Sequence, residues 1–294
     1  MTHHPQLARL LLFVVPALWS SNYVIARLAV GVIHPHLLAL GRWTLALALL
    51  LPWVWHEWRR HRALLHAEWP RLVVLGALGM WICGAFVYQG AQTTTALNIA
   101  LIYAATPVAI AVGSAWLLHE RMSAAQRLGM AIALAGVLLI IAKGDPGNLL
   151  AVRFSAGDGW IVICALAWTA YSVLLRRWSS ALPPLAQLAA VIAGGIVVLL
   201  PFTLLEAWWL APLPPSGLAL LLVALAALLP GVLSYGAYSL LQSEFGASRT
   251  ALMLYLAPVY GALLGWLVLG EAPGWHHLAG AAMILPSIAL ATRR

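Results

Sequence analysis

Apolar residues run along this chain in long blocks, and the polar positions gather in short breaks between them. An α-helix needs about 20 such residues to cross hydrocarbon. Ten blocks of that order stand at 8–28, 35–55, 70–92, 97–117, 123–143, 157–176, 184–206, 216–241, 248–269 and 275–292. The breaks leave no room for a soluble domain; the longest is the basic stretch His56 to Arg71. The pattern predicts an all-α membrane protein of ten transmembrane helices, the blocks being too long for barrel strands. Gly129, Ala133 and Gly136 offer a small face on which another helix packs closely.

The pattern occurs twice. ALIYAATPVAIAVGSAWLLHERMSAAQRLG at 100–129 is answered by ALMLYLAPVYGALLGWLVLGEAPGWHHLAG at 251–280. Pro107 matches Pro258, Glu120 matches Glu271 and Gly129 matches Gly280, all at an offset of 151. ALWSSNYVIAR at 17–27 matches LAWTAYSVLLR at 166–176 at offset 149, and Tyr88 and Gln92 match Tyr238 and Gln242 at offset 150. Two units follow, residues 1–146 and 147–294, each of five spans. Five is odd, so the second unit enters the membrane inverted. Inverted repeats recur in secondary transporters, with the substrate site near the midplane between the halves.

Charge fixes the expected orientation. With the N-terminus in the cytoplasm, that side collects twelve of the cationic residues, among them Arg59, Arg60, Arg62, Arg121, Arg127, Arg176 and Arg177. The other side holds only Arg27, Lys143 and Arg153. Positive charge stays inside, so both termini are placed in the cytoplasm. The net charge of +8 is then an orientation signal and not a nucleic-acid footprint. Only 8% of residues are charged, against about 25% in soluble domains. The apolar start, LLLFVVPALW, imitates a secretory signal, but it has a twin later in the chain and no convincing cleavage site.

Polar side chains inside the spans need a reason. Trp19, Asn22 and Tyr23 share a face of the first span, and Trp168 and Tyr171 answer in the sixth. Trp81, Tyr88 and Gln92 form a stripe on the third, answered by Tyr235, Tyr238 and Gln242 on the eighth. Tyr103 and Tyr255 sit beside the repeated prolines. These residues are expected to wall a central cavity, the alternative being ordinary packing and interhelical hydrogen bonds. Pro107 and Pro258 interrupt their helices and are expected to act as gates or as fixed kinks. Arg42 is the one cation well inside a span; it either binds a substrate carboxylate or pins helix ends. Glu120 and Glu271 fall at span ends and are read as structural. Trp53, Trp208, Trp209 and Trp275 read as interfacial belts. Cys83 and Cys164 read as small apolar filler. No nucleophile, base or metal cluster stands within the spans, which argues against an enzyme, a cofactor or a metal site. No carboxylate or histidine lies there either, so facilitated transport without proton coupling is expected.

The stretches ALWSSNYVIAR, LLALGRWTLALALLLP, ALIYAATPVAIAVGSAWLLHERMS and ALMLYLAPVYGALLGWLVLGEAP resemble the ten-helix EamA-type members of the drug/metabolite transporter superfamily. The resemblance covers essentially the whole chain and lies nearest to bacterial amino acid exporters, the aromatic branch included. It implies a multi-pass protein of a bacterial inner membrane that exports amino acids, or similar small metabolites, by alternating access. Export of other metabolites or amphipathic drugs is the next reading, and a membrane sensor or scaffold the third. The expected partners are a small molecule and the bilayer; a monomer is compatible with the sequence.

Overall fold

The fold is given by a computed structural model that describes residues 5–269 and 273–292. Glu271, Arg293 and Arg294 lie outside them. The chain runs as α1 (Pro5–Ala29), α2 (Pro35–Arg60), α3 (Arg62–Ala91), α4 (96–117), α5 (Ala124–Ile141), α6 (Ala156–Arg177), α7 (Pro184–Trp209), α8 (Gly217–Phe245), α9 (247–269) and α10 (Trp275–Thr292). Among the described residues, α1 to α9 are long and apolar enough to cross a membrane. The apolar part of α10, Trp275–Leu290, is shorter. The molecule is an all-α membrane protein.

Local chemistry sets the helix ends. Pro35 and Pro184 open α2 and α7, where a missing N–H costs nothing. Ser123 and Gln126 form a reciprocal capping box on α5, and Ser155 with Asp158 does the same on α6. The basic stretch His56 to Arg71, expected as a loop, is helical except for one break. α2 continues to Arg60, His61 takes a non-helical conformation, and α3 starts at Arg62. Alanine, leucine, arginine and glutamate favour helix whether or not lipid surrounds them, so both helices project past the expected spans.

Four helices depart from regular winding. α3 is π-helical over Ala77–Phe86 and α8 over Leu228–Leu233. At the 150-residue offset the second segment maps onto 78–83, inside the first. α4 breaks at Ala105, between helical Ala96–Ala104 and Thr106–Leu117. α9 passes through a tighter 3-10 stretch, Leu252–Leu256, before resuming as Ala257–Leu269. Pro107 and Pro258 therefore sit in the first turn of a resumed helix, where proline is tolerated, and not within an unbroken one.

In lipid, helices associate by close packing rather than by escape from water. α2 and α7 are antiparallel. Glu206 near the end of α7 accepts from the backbone N–H groups of His36 and Leu37, and Trp58 Nε1 near the end of α2 donates to Ala186 O at 3.0 Å. At the α3–α7 crossing, a Cβ on Gly76 would lie 2.2 Å from the Gly195 nitrogen. At the α5–α10 crossing, a Cβ on Gly280 would lie 2.8 Å from the Gly136 oxygen. Gly76→Val is expected to destabilise the folded protein by about 1–3 kcal/mol or to prevent folding. Gly217→Ala, where a Cβ meets open space, is expected to be neutral. Thermal unfolding in detergent measures both.

Candidate functional site

The bundle encloses a cavity of about 980 Å³. Its wall follows α1 from Pro16 to Leu28 and on to Val30 just past the helix, so it runs from mid-helix to the end remote from the N-terminus. Arg27, Leu28, Val30 and Gln92, all exposed, stand at that end. A smaller apolar groove of about 370 Å³ between α1, α8 and α9 carries no charged group; the polar chemistry lies in the larger cavity.

Of the residues expected from the sequence, Trp19, Asn22, Tyr23 and Arg42 wall the cavity, as do Gln92, Tyr103, Trp168, Tyr235 and Tyr255. Pro258 lies on the wall, whereas Pro107 is buried away from it. Trp81, Tyr88, Tyr171 and Tyr238 stand outside it. Trp81 turns toward α7 and stacks on Phe202 with ring centroids 4.0 Å apart. Tyr171 stacks behind Trp168 at 5.1 Å. Tyr238 shares a 2.7 Å hydrogen bond with Ser172 in the interior. A helical stripe spans a wide arc, and packing chooses which part of it meets the cavity.

Trp19 and Trp168, matched across the repeat, meet edge to face at 5.1 Å. Tyr235 joins both, 6.0 Å from Trp19 and 5.5 Å from Trp168. These rings are fixed by offset geometry, which aromatic quadrupoles favour. Trp168 Nε1 and Tyr255 Oη are buried and have no hydrogen-bond partner among the described residues.

Arg42 is only 3% exposed. Its Nη1 donates to Tyr88 Oη at 3.2 Å, and its Nη2 donates to Pro230 O at 2.8 Å on the π-helical segment of α8. The guanidinium also lies 4.3 Å from the ring centre of Trp43. The Tyr88 hydroxyl donates in turn to Asn22 Oδ1 at 2.7 Å. Arg27 and Arg42 are the charged residues among those walling the cavity; no described Asp or Glu is. Tyr88 thus acts one step behind the wall.

The end nearer the N-terminus is closed. Gln242 is 2% exposed and donates to Ser172 O at 3.1 Å and Tyr238 Oη at 3.0 Å. Its repeat mate Gln92 is exposed. Glu120 accepts from Ser248 Oγ at 2.9 Å and from the backbone N–H groups of Ala247 and Ser248, and pairs with Arg176 Nε at 3.8 Å. The carboxylate at the end of α4 therefore caps α9, joining the two halves as the span-end reading anticipated in kind. Its repeat mate Glu271 lies outside the described residues.

Sequence reasoning missed Cys83, Thr94 and Ser20 on the wall. It also missed the α6 cap, where Asp158 accepts from Thr94 Oγ1 and, at 2.8 Å, from Asn98 Nδ2, tying the α3–α4 connection to α6. The spacing Ser155-x-x-Asp158 was the available signal for that cap.

A bundle of membrane-crossing helices around an aromatic cavity that reaches one face defines a multi-pass membrane transporter. The EamA-like transporter family profile matches residues 6–142 and again 155–293. The chain belongs to the EamA-like transporter family. An uncharacterised transporter of Archaeoglobus fulgidus is 26% identical over 290 residues, covering 97% of both chains. An S-adenosylmethionine/S-adenosylhomocysteine transporter of Chlamydia trachomatis is 22% identical over 274 residues, covering 90% of this chain and 83% of its own. A probable terminal-alkyne amino-acid exporter of Streptantibioticus cattleyicolor is 27% identical over 247 residues, covering 80% and 76%. One crystal structure shares the fold, with a TM-score of 0.77 over 98% of this chain and 97% of that chain at 22% identity.

Glu120→Ala removes the α9 cap. It is expected to lower stability by about 1 kcal/mol, with Glu120→Gln losing less. Thermal unfolding reads the difference.

Proposed function

We propose that this protein exports amino acids, aromatic and other apolar ones foremost, or closely similar metabolites, across a bacterial inner membrane by alternating access. The observation that carries the reading is a cavity walled both by aromatic rings and by an arginine with no carboxylate partner among the described residues. Rings receive an apolar or aromatic side chain, and a guanidinium receives a carboxylate in fork geometry. The names of two relatives point the same way, since both describe cargo built on an amino acid. The cavity lies at the upper end of the range for small-molecule sites, about 300–1,000 Å³, so cargo bulkier than a single aromatic amino acid also fits.

With both termini in the cytoplasm, the open end faces outward. Gln92 and Gln242 carry the two-state reading: repeat-matched residues stand in opposite environments, and rocking exchanges them. No described acidic side chain walls the cavity, which supports downhill transport without a coupled proton.

Counterflow in proteoliposomes with a panel of labelled amino acids tests the substrate class. Exchange of aromatic amino acids is expected, at a rate indifferent to collapse of a pH gradient. Trp168→Ala and Tyr88→Ala are expected to slow it about tenfold. Movement of phosphorylated solutes with amino acids ignored would overturn the reading. Labelling with an impermeant maleimide tests the access cycle. Gln92→Cys is expected to react from outside and Gln242→Cys from the cytoplasmic side, with one rate rising as the other falls when substrate is added.

A further inference from the structure

The polar corner of the cavity has a fixed hydrogen-bond direction. A guanidinium only donates. Arg42 Nη1 therefore makes the Tyr88 oxygen an acceptor, and the Tyr88 proton goes to Asn22 Oδ1. The Asn22 oxygen is thereby used, and its two Nδ2 hydrogens remain as the valences of the amide. No described residue takes them up. Asn22 and Arg42 both wall the cavity. The corner consequently offers N–H donors and one positive charge, with no carboxylate among the described wall residues to balance it. A buried guanidinium without an anion is costly in hydrocarbon, and an anionic acceptor would offset that cost.

We propose that Asn22 and Arg42 together form a carboxylate subsite and that Asn22 determines specificity, admitting substrates that carry a carboxylate and refusing the corresponding decarboxylated amines. The inference rests on the amino-acid reading and sharpens it. Trp19, Trp168 and Tyr235 supply ring faces on the same wall, where a substrate ammonium or aryl group is attracted. Tyr88 is a positioning residue: it holds the Asn22 amide in the orientation that turns nitrogen, not oxygen, to the substrate. An aspartate at 22 has the same shape, still accepts from Tyr88, and neutralises Arg42. It converts a corner for anions into one that tolerates cations.

Three probes of one skeleton test this on the full-length protein: phenylalanine, phenylpropionate and phenethylamine. Binding is read as thermal stabilisation in detergent, and exchange as counterflow in proteoliposomes. The wild type is expected to bind both acids about tenfold or more tighter than the amine. Asn22→Asp is expected to lose the acids and gain the amine, and Asn22→Leu to lose the acids without that gain. Tyr88→Phe removes only the relay and is expected to narrow the acid-to-amine ratio; with Asn22→Leu it decides the matter if Asn22→Asp does not fold. A wild type that binds the amine as well as the acids overturns the proposal, and so does an Asn22→Asp variant with an unchanged ratio. Phenylpropionate binding that depends on Asn22, without phenylalanine exchange, leaves the subsite standing and removes the amino-acid reading. If none of the three probes binds, both fall.

Discussion

Adjacent residues of α2 hold the centre of this bundle. Trp43 Nε1 donates to Met80 O at 2.9 Å, and Arg42 Nη2 donates to Pro230 O at 2.8 Å. Met80 and Pro230 occupy the same repeat position on the π-helical segments of α3 and α8. Hydrocarbon offers no water to a carbonyl that leaves the helical ladder, so irregular backbone persists there only where protein groups satisfy it. Tyr235 on α8 closes the link by donating to Gly79 O on α3 at 2.9 Å. The π segments, the buried arginine and the aromatic wall are therefore one arrangement. Each of these side chains, donating to a carbonyl of a π-helical segment, also stands at or beside the cavity.

The two halves share a design but not an environment. Asn22 with Tyr88 and Ser172 with Tyr238 bridge corresponding helices at the same sequence separation, each at 2.7 Å. The first pair borders the cavity, and the second is sealed with Gln242 at the closed end. This difference is what an inverted repeat yields when the molecule is open to one face. α4 and α9 are both interrupted just before Pro107 and Pro258. Glu120 ties the two halves together at the closed end through the α9 cap.

Much of the fold was legible because hydrocarbon imposes a length on helices and an inverted repeat imposes an offset. Among the described residues nine spans and the shorter α10 follow the ten apolar blocks, and Trp19 meets Trp168 as repeat mates on a shared axis would. The projecting ends of α2 and α3 were not legible, because hydropathy marks where lipid begins and not where helix ends. Cys83 read as apolar filler because a lone thiol in an apolar block looks like any small side chain, and Thr94 was passed over because it falls in the break between two blocks.

The sequence by itself determined the all-α membrane class and which helix faces carry the aromatic residues. Those properties follow from composition and period, which one chain carries locally. Only the tertiary structure decided the rotation of each helix about its axis. Close crossings such as Gly76 on Gly195 fix that rotation through backbone contact. Rotation in turn sends Trp81 toward α7, places Tyr88 between Arg42 and Asn22, and leaves Asn22 facing the cavity with no partner for its nitrogen among the described residues.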